Sequence, residues 1–534
     1  MSDQPETELS IWERSTFVRF FRWLFSWRIM RRLIIVLAWI VTIVALWYGE
    51  EDWRGRRAWN QYRQAAQARG EPLDYAAYIP KPVPDDQNFA ATPFLKSFFQ
   101  TNDTDILTND LWSRAANNVT ETNAAKDRGH RHFMDLVAWQ MASAALQSGK
   151  LKRDQEFETD KTDLAARAAA APAVLEGMAP DAAAFAELRA ASARELSRYP
   201  VKYDPENPWA ILLPHLAKIK GVCQRLHLEA CADLAAGQND QALADVKLAL
   251  SLADSIKSEP FLISYLVRVA CFQIALHSVW EGLAEQRWTD AQLQELQARF
   301  LSCDFLAGMK EPLNAERACG VVAVDLARKS GLEMLGEDSS SSDRKSSESY
   351  ETAVSLIGRL MPSGWYDREK LNYCLLFDAQ RKGDVDLGAR IVSPSRVASN
   401  SDELTRQIYG GNLLKALLHH RAIACLLLPG LKNVSVKFAA AQTAANQAAL
   451  ACALERYRLA HGQFPDQLEA LTPQFISHPP HDVITGQPYK YRRADDGQFI
   501  LYSVGWNEKD DGGAPGKTLF DQTQGDWVWQ YPAK

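Results

Sequence analysis

The sequence predicts a mainly α-helical, membrane-anchored chain that closes with a small α+β module carrying a short antiparallel sheet. Three observations predict it. An uncharged run, LIIVLAWIVTIVALWYG, fills 33–49. Apolar residues recur at three- and four-residue steps through most of the chain beyond that run, the signature of one-sided helices. From Phe464 onward the pattern breaks into proline and glycine turns separated by alternating apolar and polar positions.

At 534 residues the chain exceeds what one hydrophobic core organises. It reads as a tail at 1–32, a transmembrane helix at 33–49, a helical domain at 50–335, a serine-rich linker at 336–349, a helical continuation at 350–434, and a long helix with a β module at 435–534. The apolar share of 47% and charged share of 24% are those of a folded chain and exclude a disordered one. A net charge of −6 without a basic domain excludes nucleic acid as the partner.

The apolar run is near the lower length limit for crossing a hydrocarbon core. Trp27, Trp47 and Tyr48 flank it, where amphipathic rings favour the headgroup zone. It ends in LWYGEED rather than in small residues, so it reads as an uncleaved anchor. Arg14, Arg19, Arg22, Arg28, Arg31 and Arg32 precede it, while Glu50, Glu51 and Asp52 come after it. That bias places the N-terminus in the cytoplasm and the bulk of the chain across the membrane. Residues 12–27, WERSTFVRFFRWLFSW, fit an interfacial helix.

Beyond the anchor a polar helical stretch leads to a proline connector, IPKPVPDD. Alanine-rich sequence at 161–195 favours helix, and Pro172 and Pro180 are expected to divide it. The clearest hairpin covers about 221–256. Leu226, Ala230 and Leu234 mark one helix, Gly237 sits at its C-cap, and Leu243, Val246, Leu250 and Ala253 mark the second. Further helices are expected at 261–285, at 290–303 with Thr289 as N-cap, at 310–330, and at 435–461 ending on Gly462. The linker GEDSSSSDRKSSES has no apolar residue to bury. Eight cysteines are scattered without a CxxC pair, which argues against a cysteine metal cluster. An exported domain would permit one or two disulfides, with partners left open.

Two strands are expected at 488–493 and 498–505, joined through Asp496-Gly497, and a third at 526–531, where Trp527, Trp529 and Tyr531 alternate. No G-x-S-x-G, H-E-x-x-H, P-loop or G-x-G-x-x-G occurs. His478 and His481 beside Asp482 offer two imidazoles but no third marked ligand, so a solvated loop is the simpler reading. His419 and His420 are expected on opposite sides of a helix, with at most one buried.

These motifs carry two resemblances. The segment LAAGQNDQALADVKLALSLA resembles a tetratricopeptide-type hairpin, although no second copy recurs near that period. ALERYRLAHGQFPDQLEAL, DVITGQPYKYRR and GQFILYSVGWNEKDDGG, taken in order, resemble the C-terminal module of major pseudopilins of type II secretion. The shared positions are Tyr457, Gly462, Phe464, Pro465, Asp482, Gly486, Pro488, Tyr489, Tyr491, Tyr502, Ser503 and Gly505. The pseudopilin leader and its cleavage site have no counterpart before Leu33, so the chain is not expected to be a pilin subunit. As a whole it resembles membrane-anchored proteins of planctomycete- and verrucomicrobia-like bacteria, through SEPFLISYLVRVA, ARIVSPSRVA and LYSVGWNEKDDGG. That likeness implies a bacterial inner membrane with the bulk of the chain in the periplasm, and it names no activity.

The pseudopilin likeness implies Ca²⁺ at the acidic loop, where Asn507, Asp510, Asp511, Asp521 and Asp526 are the candidate ligands. Calcium takes six to eight oxygens from flexible loops, but N-E-K-D-D-G does not match EF-hand spacing, and such residues are also ordinary in surface turns. The expected function is that of an interaction or scaffolding protein with a protein partner. The alternative is an enzyme whose site lies between the helical and C-terminal regions.

Overall fold

Helix-forming patterns translate into long helices nearly wherever they occur. The computed structural model describes residues 20, 23, 26–100, 129–152, 155, 157–330, 361–409 and 419–532. The linker expected at 336–349, most of the tail 1–32 and nearly all of the interfacial stretch lie outside them. In chain order the helices of ten or more residues are α1 (Trp27–Ala68), α2 (Leu136–Gln147), α3 (Leu164–Met178), α4 (Ala182–Ala191), α5 (His215–Ala235) and α6 (Asn239–Ser255). They continue as α7 (Leu262–Ala284), α8 (Asp290–Leu301), α9 (Lys310–Ser330), α10 (Ser363–Gln380), α11 (Pro394–Tyr409) and α12 (Val434–His461). Two antiparallel sheets complete the described structure: β1 (Val385–Asp386) with β2 (Ile391–Val392), and β3 (Lys490–Arg493), β4 (Phe499–Ser503) and β5 (Trp527–Trp529) in that order.

The chain forms two units, Met1–Ala65 with Ala327–Asn372, and Ala66–Leu326 with Tyr373–Lys534. In the first, the apolar side chains of α1 from Leu33 to Leu46 stand exposed on all sides. An uncovered apolar helix near the N-terminus is compatible with membrane anchoring. Past the apolar run, α1 meets the start of α10 backbone to backbone. A Cβ on Gly55 would lie 2.1 Å from the Gly364 carbonyl oxygen, and one on Gly364 would lie 2.2 Å from that of Glu51. Asp52 Oδ1 accepts the Gly364 amide at 2.6 Å, and Trp47 meets Trp365 edge-on at 5.8 Å.

In the second unit α5 packs against α3, α6 and α7, while α12 runs against α7 and α8. Ala232 and Leu228 of α5 join Trp139 of α2 and Val174 of α3 in one apolar cluster. Two helices here, Leu262–Ala284 and the stretch Ala422–His461, are also long and apolar enough to cross a membrane, but 56% of each window is buried within the protein. Cap signals work as read. Thr289 forms a capping box with Gln292. Gly237, one residue past the Ala236 C-cap of α5, and Gly462, the C-cap of α12, take φ of +78° and +79°, where only glycine is at ease.

The sheet pairs Lys490 with Tyr502 and Leu501 with Trp529. It turns through Gly497 at φ +80°, while Asp496 accepts the Gln498 amide instead of sharing the positive φ. Two expectations are corrected. Pro172 lies inside α3 rather than ending it. It and Ala168 are both exposed, so the carbonyl that loses a helical donor can turn to water. His420 sits in a turn at φ +53°, and the next helix begins only at Ala422, so the two histidines do not share a helix. None of the eight cysteines forms a disulfide, and seven of them are buried.

Gly282 of α7 lies under Trp288, whose indole donates to the Val279 carbonyl at 3.1 Å. An added Cβ would come within 2.2 Å of that indole nitrogen. Gly282→Ala should therefore lower stability by about 1–3 kcal/mol through overpacking, despite alanine's better helix propensity. Thr289→Ala should remove about 1 kcal/mol through the lost cap. Chemical denaturation of both variants, read by tryptophan fluorescence, checks this order.

Candidate functional site

The proline connector, unable to form helix or a full set of ladder bonds, runs extended beside the segment that succeeds α4. Phe89 N–H donates to the Leu196 carbonyl at 2.8 Å. Asn88 staples the two by bonding both the amide and the carbonyl of Arg198. The Arg198 Nε donates to the Pro80 carbonyl at 3.0 Å. Together with the C-terminal turn of α6, Arg299 of α8 and Glu311 of α9, these segments enclose a cleft of about 840 Å³.

Five basic side chains line it, Lys81, Arg194, Arg198, Lys257 and Arg299, against the acidic Glu195, Asp254 and Glu311. Asp254 is already neutralised, because Arg268 binds it at 2.9 Å and Arg299 pairs with it as well. Arg194 spends its donors on the carbonyls of Asp85 and Asn88, which carry no charge. Lys81 and Lys257 are exposed and make no side-chain ion pair among the described residues. The cleft is therefore cationic. Its lining includes serines but neither histidine nor cysteine, so no general base of those types faces the hydroxyls.

A second polar cluster lies within the helical layer. Glu229 and Asp233 stand one turn apart on α5 and face Asp245 of α6, which pairs with Arg189 of α4. Arg225 approaches Asp181 at 3.9 Å. Burial pushes the Glu229 carboxyl up to about 8, with Asp245 adding to the rise and Arg189 opposing it. It likewise carries Asp233 and Asp245 up to about 7. The crowding of like charges away from water holds protons there at neutral pH. None of these carboxylates lines the cleft.

The five candidate calcium ligands occupy one loop but are used in different ways. Asp526 is buried and accepts the amides of Asp511 at 3.2 Å and Gly513 at 2.6 Å. Asn507 donates to Asp511 Oδ2 at 2.9 Å. Asp510 accepts from Tyr502 and pairs with Lys490 at 3.5 Å. Asp521 caps its own turn by accepting the amides of Lys517, Thr523 and Gln524. Asn507, Asp511 and Asp526 are thus linked, while Asp510 and Asp521 serve local partners. A cation entering here would share oxygens that already accept N–H donors. His481 bonds the Ala389 carbonyl at 3.0 Å, and Asp482 binds Ser503 and the Ile484 amide to brace β4.

No protein-family model, curated protein or solved structure matches this chain. Geometry and charge alone therefore bear on what the cleft can hold. Arg194, Arg198 and Lys257 carry no mark in the sequence, because the cleft joins segments more than a hundred residues apart. A readable signal did exist for the carboxyl cluster: acidic residues at 229 and 233, four apart, within a helix otherwise rich in buried apolar positions.

Carboxyls of pKa near 4 in the unfolded chain titrate near 7–8 in the fold, so the folded state binds more protons across that window. The stability that these three carboxyls contribute should therefore be fullest near pH 4 and fall as pH rises towards 8. Glu229→Gln combined with Asp233→Asn should flatten the fall in melting temperature between pH 5 and 8; an unchanged slope would contradict it. Asp526→Ala should cost about 1–3 kcal/mol by leaving two amides without their acceptor, and should expose 507–525 to limited proteolysis.

Proposed function

We propose that the chain is a membrane-anchored binding protein of the bacterial cell envelope that holds an extended acidic segment of a protein partner in the cationic cleft. In this reading α1 spans the inner membrane with the arginine-rich tail in the cytoplasm, and the bulk of the chain stands in the periplasm. The exposed cations Lys81 and Lys257, which line the cleft without a side-chain ion pair among the described residues, carry the reading. Extended walls flanked by basic side chains suit a peptide that offers carboxylates at regular intervals. An enzymatic reading would draw on the Glu195, Asp254 and Glu311 carboxyls of the cleft, whereas the carboxyls with raised pKa lie elsewhere. We assign 435–534 the role of a pseudopilin-like cap, supported by a three-stranded sheet that packs against the middle of one long helix.

Full-length protein in detergent, titrated into a dye-labelled peptide alternating glutamate with leucine, should raise its anisotropy, and added salt should weaken the binding. Lys81→Glu with Lys257→Glu should weaken it at least about tenfold, or about 1.4 kcal/mol. Equal binding of a lysine–leucine peptide, or indifference to the double reversal, would sink the reading.

A further inference from the structure

The helices α5 and α7 press two donor pairs against each other inside the second unit. His227 and Cys231 are one turn apart on α5, and His277 and Glu281 are one turn apart on α7. Spacing of four places each pair on a single helix face. One donor atom from each of His227, Cys231 and Glu281 lies within 4.8 Å of the other two, and all three residues are buried. We propose that these three side chains form a zinc site that fixes α5 to α7.

The spacing fits. Nitrogen and sulfur bound at about 2.0 and 2.3 Å to one tetrahedral centre lie about 3.5 Å apart, and His227 Nδ1 stands 3.4 Å from Cys231 Sγ. A mixed nitrogen, sulfur and oxygen set suits zinc and not calcium or magnesium. The surroundings resemble the outer shell that orients metal ligands. Arg167 holds Glu281 Oε2 at 2.7 Å, and the Met134 amide donates to the other oxygen. A carboxylate has about four lone-pair positions, so both contacts leave room for a metal bond. Ser278 Oγ bonds the same His227 Nδ1 at 2.7 Å and would have to give that nitrogen up to the metal, while the His277 ring stacks on that of His227 at 5.0 Å and bonds the His132 carbonyl.

The guanidinium beside Glu281 argues against a cation until the charges are counted. Arg167 also binds Glu285 at 3.0 Å, and that carboxylate takes the partly exposed Arg287 at 3.3 Å as well. Zinc then faces one thiolate and one carboxylate, which neutralise it. Zinc would supply the positive charge that a deprotonated Cys231 needs in a buried core.

The test uses the full chain purified in detergent from zinc-supplemented cells, with metal content measured by elemental analysis after exhaustive dialysis. Wild type should retain about one zinc per chain, and Cys231→Ser and His227→Gln should each lower this at least about tenfold. Cys374→Ser, another buried thiol outside the set, should leave it unchanged. Should either ligand variant fail to fold, wild type grown on cobalt decides alone: a thiolate-to-cobalt charge-transfer band supports the site. Cobalt bound without that band, zinc-free wild type, or zinc retained by folded Cys231→Ser would each overturn it.

Discussion

A helix buried on every side, α12, sets the terms for the rest of the second unit. From Val434 to Glu455 nearly every side chain is shielded from water, so the helix cannot point polar groups outward. Its many alanines let neighbours approach closely, and its few amides must find partners within the core. They do so on opposing sides. Gln442 accepts the Phe305 amide at 2.8 Å and donates to the Cys303 carbonyl. Asn446 reaches the Tyr489 hydroxyl, and Gln447 donates to the Trp527 carbonyl at 2.7 Å. Shifting the helix by one position would strand all three amides, each at a penalty of about 1–3 kcal/mol. One rotation of α12 thus fixes how the β module sits on the helical layer.

Buried charge obeys the same logic by a different route. Arg167 bridges Glu281 and Glu285, each no more than 1% exposed at the side chain. Removing one partner of such a group leaves an uncompensated ion, which is far worse than never having had the pair. The carboxyls around Arg189 take the other solution and hold protons. Both arrangements bind helices rigidly through their interiors. The cleft, by contrast, is walled largely by non-helical segments at the surface, where recognition residues are usually carried.

Local signals in the sequence translated well. Thr289, Gly237 and Gly462 each specify a helix end through chemistry confined to one turn, and the β3–β4 hairpin arises from alternation around one glycine. Pro172 misled because a proline's effect depends on which face of the helix it occupies, and only the fold decides that. The strands β1 and β2 are two residues each, too short for any periodicity. The cleft was illegible, and the buried clusters only half legible, for a further reason. The pairs at 227 and 231 and at 277 and 281 are visible in sequence, but nothing local says that α5 and α7 are neighbours. Of the acidic loop, sequence located the residues but not their tasks, since an aspartate bracing amides and one facing solvent look alike in a string.

The indole of Trp280 in α7 donates to the carbonyl of Gln530, 250 residues further along the chain. A ribosome adding about 5–20 residues per second needs roughly 10–50 s to span that distance. For most of this interval the early hairpins lack α12, and until its end they lack the segment after β5 that accepts from Trp280. Newly made protein therefore passes through a stage with its central apolar face open, and must be kept from other chains until the last strand emerges. The vulnerable period in the life of this molecule is its birth, and its length is set by how late in the message the closing pieces are written.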